Sequence, residues 1–146
     1  MDPAQRIAIW ESRGMALDVD GHDIWVLDLT PWGRETGPPI LVLHGFPTCS
    51  FYWHAVLPAL SQHRRVVLFD LLGFGLSDKP DIAYTIARQA DIAEEVLRQR
   101  HIDAVALVTH DVGDSIGGEL LARSLEGSLS FEVTERVVTN GSIYLE

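Results

Sequence analysis

The stretch Val105-Ala106-Leu107-Val108-Thr109-His110-Asp111-Val112-Gly113 constrains this chain more than any other. Its apolar, β-branched opening reads as a buried strand. The pattern then turns at once into a helix that starts at about Val112. A carboxylate stands at the bend. Thr109 lies two residues before Asp111 and Gly113 two after it. Small residues at those two places let a strand bend sharply where the backbone passes close to itself, the small-x-nucleophile-x-small pattern of a nucleophile elbow.

Two further strand-and-turn units lie upstream. Ile40–Leu43 is an uninterrupted apolar run followed by His44-Gly45-Phe46-Pro47, and Arg65–Phe69 leads through Asp70 into Leu71-Leu72-Gly73-Phe74-Gly75-Leu76-Ser77-Asp78-Lys79-Pro80. Helix patterns separate the strands. One runs from about Phe51 to Gln62, with Trp53, Val56, Leu57 and Leu60 on one face. Pro58 inside it predicts a kink or an early end. A second runs from about Thr85 to His101 with a stripe of Ile86, Ala90, Ala93 and Leu97. A third covers Val112 to Leu125, and a strand over Val133–Thr139 follows. Strand and helix in alternation predict an α/β fold, a mostly parallel sheet with helices on both faces. Ahead of it, residues up to Gly14 predict a short helix or arm. Met15–Val19 and Ile24–Leu29 flank Asp20-Gly21-His22-Asp23 as a hairpin does, and Pro31–Pro39 is a loop.

Taken together, these segments resemble the α/β-hydrolase fold. The resemblance is closest to the branch with Asp nucleophiles, the epoxide hydrolases and haloalkane dehalogenases. Within that branch HGFPTCSFYW, DLLGFGLSDKP, HDVGD with ELLAR, and TNGSIYLE are most similar to the mesoderm-specific transcript relatives. The resemblance runs from about Gly21 to the last residue and spans only the first half of such a protein. It therefore implies that residues 1–146 are the N-terminal portion of one core domain, with the cap domain, the last strands and the catalytic His outside this chain. It implies a partner too: a second polypeptide or a C-terminal segment that supplies those parts. The strand over Val133–Thr139 is then expected to present an open, apolar edge.

Asp111 is the candidate nucleophile. A carboxylate at a helix N-terminus is stabilised as an anion, needs no base, and displaces leaving groups from sp3 carbon to give an ester. The bland reading of the same residue is a helix N-cap. The apolar strand before it, Gly113 after it and the HGFP loop upstream favour the nucleophile. By resemblance the backbone N–H groups of Phe46 and Val112 form the oxyanion hole, and Phe46, Trp53, Val112 and Ile143 line a pocket for a small apolar substrate. Gly113-Asp114-Ser115-Ile116-Gly117 spells G-x-S-x-G, but Ser115 falls six residues after Thr109, inside the helix rather than at the bend. Gly117 and Gly118 there would allow close approach to the sheet. His44 lies in the oxyanion loop and His110 points away from the elbow, so neither is expected to act as a base. His22, His54, His63 and His101 are expected in turns or on exposed helix faces, and Asp114 has only a helix-dipole role.

Two departures from the family shape the substrate expectation. Haloalkane dehalogenases typically hold the halide with an Asn after His-Gly and a Trp after the nucleophile. Phe46 and Val112 stand there instead. Enzymes of the fluoroacetate type place an Arg after the nucleophile, where Val112 again stands. An epoxide hydrolase-like hydrolase is the leading expectation. A dehalogenase with an atypical halide site, and a non-catalytic binding protein or inert fragment on the same scaffold, are the alternatives.

Composition limits the partners. Lys and Arg number 11 against 21 Asp and Glu, a formal net charge of −10. That disfavours nucleic acid and anionic membranes. No apolar run approaches the roughly 20 residues of a membrane span. The first residues lack a signal-peptide pattern. A single Cys49, expected as a turn residue, suits a cytoplasmic protein. No His or Cys spacing suggests a metal, and no cofactor is expected.

Overall fold

The computed structural model describes residues 2–141. In chain order the elements are α1 (Pro3–Arg13), β1 (Met15–Val19), β2 (His22–Leu29), β3 (Ile40–Leu43), a 3-10 turn (Ser50–Trp53), α2 (Leu57–Leu60), β4 (Val66–Phe69), α3 (Ile86–Gln99), β5 (Ala104–His110), α4 (Val112–Glu126) and β6 (Glu132–Thr139). The strands form one sheet in the order β1-β2-β4-β3-β5-β6. β1, β2 and β4 pair antiparallel, whereas β4, β3, β5 and β6 run parallel. The β1–β2 hairpin turns at Asp20 (φ 52°) and Gly21 (φ 78°), the left-handed pair that a two-residue turn demands.

Side chains alternate across the sheet and build a core on each face. Leu41, Leu43, Val67, Phe69, Val105 and Leu107 meet α3 and α4 through Ala93, Val96, Ile116 and Leu120. Ile40, Val42, Val66, Leu68, Ala106 and Val108 face the other way, where Trp10 of α1 and Leu57 of α2 cover them. Trp10 stacks on Trp25 (5.7 Å between centroids) and meets Phe51 edge-on (5.4 Å). β3 and β5, in the middle of the parallel region, are almost wholly buried. The loops at their C-terminal ends therefore start from fixed points.

Some expectations fail. The helix over Phe51–Gln62 does not form as one piece. Pro58 has no N–H to give, and its ring excludes the carbonyl four residues back. The segment breaks into the Ser50–Trp53 turn and the single turn of α2, where Pro58 sits near the start. The α3 stripe is rotated: Ile86 is exposed, and Gln89, Ile92 and Val96 join the buried face. Gln89 bridges to the loop after β4, its amide donating to Leu72 O (2.9 Å) and its Oε1 accepting from Leu72 N–H (3.1 Å). Gly117 does lie against the sheet, since a Cβ there would sit 2.9 Å from Thr109 Cγ2. Gly118 faces open space. β6 pairs with β5 alone among the described residues. It is less apolar than expected, with Glu132, Glu135 and Arg136 in it and Val137 and Val138 half-exposed.

Candidate active site

The parallel strands deliver three loops to one edge of the sheet. The His44-Gly45-Phe46 loop leaves β3, the Asp70–Lys79 loop leaves β4, and the bend at Asp111 leaves β5. Asp111 takes φ 54° and ψ −119°. A non-glycine residue in that conformation is strained, and the packing around it must hold it there. The crowding shows at its neighbours. A Cβ on Gly113 would lie 2.7 Å from the carbonyl oxygens of Leu43 and His44, and Thr109 is fully buried. A Cβ on Gly45 would run into Asp111 Cβ.

The bend brings Asp111 to the β3 loop. Asp111 Oδ1 accepts from Phe46 N–H (2.7 Å) and from Val112 N–H (2.7 Å). Among the described residues Oδ2 accepts no hydrogen bond. The Phe46 N–H, then the Val112 N–H, hold the carboxyl below its ordinary 3.8, so Asp111 is ionised at neutral pH. The three residues expected to meet do so. Phe46 is exposed beside them, edge-on to Phe74. A cleft of about 440 Å³ adjoins the loop, lined by Pro47, Thr48, Tyr52, Phe74, Gly75 and Lys79. Trp53 packs beneath His110 (6.1 Å, edge-on), while Tyr52 stacks on that ring (5.1 Å) and lines the cleft. Ile143 lies outside the described residues.

The histidines near the bend are engaged. His110 Nδ1 faces Thr139 O (3.0 Å) and Thr139 Oγ1 (3.2 Å). His44 is buried. Its Nε2 accepts from Leu71 N–H (2.9 Å), which fixes the proton on Nδ1, and Nδ1–H donates to Gly45 O (3.0 Å). His54 is not a free surface residue. It stacks flat on Phe51 (4.6 Å) and lies 2.7 Å from Arg6. His22 is half-buried, whereas His63 and His101 are exposed. Burial pushes the Cys49 thiol up, against nucleophilic use.

Burial pushes His44 the opposite way, below its ordinary 6.5. The folded state then binds this proton more weakly than the unfolded chain. Its contribution to stability is complete above pH 6.5 and is lost as pH falls toward the folded value. Denaturant titrations should show stability dropping across that window. His44→Gln, whose amide offers a donor and an acceptor and does not titrate, should flatten the drop. An unchanged slope would remove His44 as its source.

Ser115 sits within α4, half-buried and away from the bend. Asp114 does more than complement a dipole. Oδ1 accepts from Thr109 Oγ1 (2.9 Å) and pairs with Arg136 Nη2 (2.7 Å), tying α4 to β5 and β6. Two residues escaped the sequence reading. Asp70 is buried, with Oδ1 accepting from Ser50 N–H and Oδ2 from Leu76 N–H, each at 2.7 Å. Thr48 holds Gly45 O through its hydroxyl (2.8 Å). An Asp directly after a buried strand was the available signal for the first. Among the described residues no three His, Cys, Asp or Glu side chains converge as a metal cage, and no helix is long and apolar enough to cross a membrane.

The class follows from the sheet and its bend, and the profile of the α/β-hydrolase fold matches residues 38–126: the chain belongs to that family. It is 44% identical over 115 residues to the LipZ protein of Mycobacterium tuberculosis, across 78% of this chain and 40% of that protein. With the mesoderm-specific transcript homolog protein of Homo sapiens it shares 36% identity over 143 residues, across 94% of this chain and 42% of that protein. The haloalkane dehalogenase DatA from Agrobacterium tumefaciens C58 superposes with a TM-score of 0.70 at 28% identity, over 88% of this chain and 40% of that one. The chain spans about two fifths of the length of these relatives.

Proposed function

We propose that this chain carries the nucleophile and oxyanion hole of a hydrolase that works through an ester on Asp111. One observation carries the reading: Oδ1 is held at 2.7 Å by both the Phe46 and Val112 N–H groups, which leaves Oδ2 to attack. Attack on an sp3 carbon forms the Oδ2–C bond and expels the leaving group with its electron pair. Water then adds to the ester carbonyl, and the charge that develops on Oδ1 sits where the two N–H groups already point. That water needs a base. Both ring nitrogens of His44 are engaged, and His110 is anchored to Thr139 through Nδ1 with its ring packed against Tyr52 and Trp53, so we assign the base to a segment or a second polypeptide beyond the described residues, as we do the cap that selects a small apolar substrate.

Epoxides are the favoured substrates. Phe46 and Val112 offer no side-chain N–H to a departing halide, and an epoxide oxygen asks for an acid rather than a halide cradle. The likeness to a haloalkane dehalogenase supports alkyl halides as the second reading.

The test uses a reactive alkyl halide, which needs no acid. Mass spectrometry should find one adduct on this chain, mapping to the peptide with His110-Asp111-Val112. Asp111→Asn should abolish it and Ser115→Ala should leave it. An adduct that maps to Cys49, or survives in Asp111→Asn, would overturn the assignment.

A further inference from the structure

We infer that Thr48 is a positioning residue, which aims the Phe46 N–H at Asp111 by gripping the far side of the same peptide. The inference rests on the reading of Asp111 as nucleophile and deepens it. In a trans peptide the C=O and N–H point in opposite directions. The Gly45–Phe46 peptide presents its N–H to Asp111 Oδ1 at 2.7 Å. Its oxygen, Gly45 O, accepts three hydrogen bonds on the other side: from Thr48 Oγ1 (2.8 Å), Thr48 N–H (3.0 Å) and His44 Nδ1–H (3.0 Å).

The grip answers a specific weakness. Residue 45 must be glycine, because any Cβ there meets the Asp111 side chain. Glycine is also the residue freest to rotate. If this peptide flipped, a carbonyl oxygen would face the carboxylate and the hole would lose a donor. Three donors on Gly45 O oppose the flip. The Thr48 N–H bond is a turn contact that most residues could supply, and His44 also serves Leu71. The hydroxyl is the one contribution that belongs to the Thr48 side chain. Thr48 is half-buried at the surface of the loop, so replacing it leaves the core intact.

Ester cleavage by hydroxylamine isolates this role, since it needs no protein base. The amine adds to Cγ of the Asp111 ester and charge collects on Oδ1. The intermediate then expels the alkoxide, which leaves with a proton as the alcohol, and Asp111 becomes the hydroxamate. The chain is first alkylated with an alkyl iodide. Hydroxamate formation is then followed by peptide mapping, with the same ester in urea as baseline. Folded wild type should react faster than the baseline. Thr48→Val should slow the folded rate about tenfold, the worth of one ordinary hydrogen bond, and Thr48→Ser should recover it. The pH midpoint of Asp111 alkylation should rise in Thr48→Val and not in Thr48→Ser. Equal rates and midpoints in all three, at matched circular dichroism, would overturn the proposal. If wild type forms no Asp111 ester, the nucleophile reading fails instead. The Phe46 amide proton then decides the grip by itself: loss of its downfield resonance in Thr48→Val supports it, and an unchanged resonance overturns it.

Discussion

Replacing Gly45 with alanine should slow ester formation at Asp111 by about a hundredfold or more while the chain still folds. The new Cβ would lie 2.7 Å from Asp111 Oδ1 and 2.9 Å from Cγ, closer than real Cβ contacts allow. Asp111 Cβ lies closer still, so the bend and the β3 loop must part, and the carboxylate is carried away from its donors. Leaving the Phe46 and Val112 N–H groups costs it both anchors, and a misplacement near 1 Å at the reacting atom is worth about a hundredfold. Adduct formation timed by intact mass measures the loss. Gly118→Ala is the matched control. It adds the same methyl group in open space on α4, so its rate should not change and its stability should rise by up to about 1 kcal/mol. A Gly45→Ala chain that reacts at the wild-type rate would show that the bend tolerates the methyl group and that this approach does not position the carboxylate.

What the sequence revealed of this site, and what it hid, divides along one physical line. Asp111, Val112 and Gly113 were legible because the bend is local: a strand, a turn and a helix within nine residues, Val105 to Gly113, dictate which side chain is lifted out. Phe46 came from the pattern after β3 and from family resemblance, and its N–H reaches Asp111. Thr48 and Asp70 were not legible, because each acts on a backbone group that only the fold brings near. A threonine in a loop and an aspartate after a strand look the same in sequence whether or not they hold anything. The failed helix over Phe51–Gln62 has a different cause. Its apolar spacing was real, but Pro58 and the pull of Phe51 and Trp53 onto the sheet outweighed the periodicity. The rotated face of α3 follows from the polar Gln89, which is buried because both ends of its amide find Leu72. Ile143 lies outside the described residues.

Asp70→Ala should be strongly destabilising, at about 3 kcal/mol. The carboxylate is 1% exposed. Its two oxygens accept from Ser50 N–H and Leu76 N–H at 2.7 Å, and the fit is close enough that Gly75 has no room for a Cβ beside Oδ2. Alanine leaves the buried Ser50 N–H and the part-buried Leu76 N–H without their acceptor, at about 1–3 kcal/mol for the first and less for the second, which water can reach. In a chain of this size that lowers Tm by about 10 °C. The loss also reaches the site. Ser50 opens the turn that carries Tyr52 and Trp53 to His110, the residue before Asp111. Once Ser50 is released, the wall of the cleft loses its anchor, and alkylation of Asp111 should slow even under conditions where the chain remains folded. Asp70→Asn separates charge from shape. It keeps one acceptor and turns an amide N–H₂ toward the other donor, so it should still be clearly destabilising. Urea titration of the three proteins reads the series directly. A cost below about 1 kcal/mol for Asp70→Ala would mean that water can replace the carboxylate, and the turn would then be held by its aromatic packing alone.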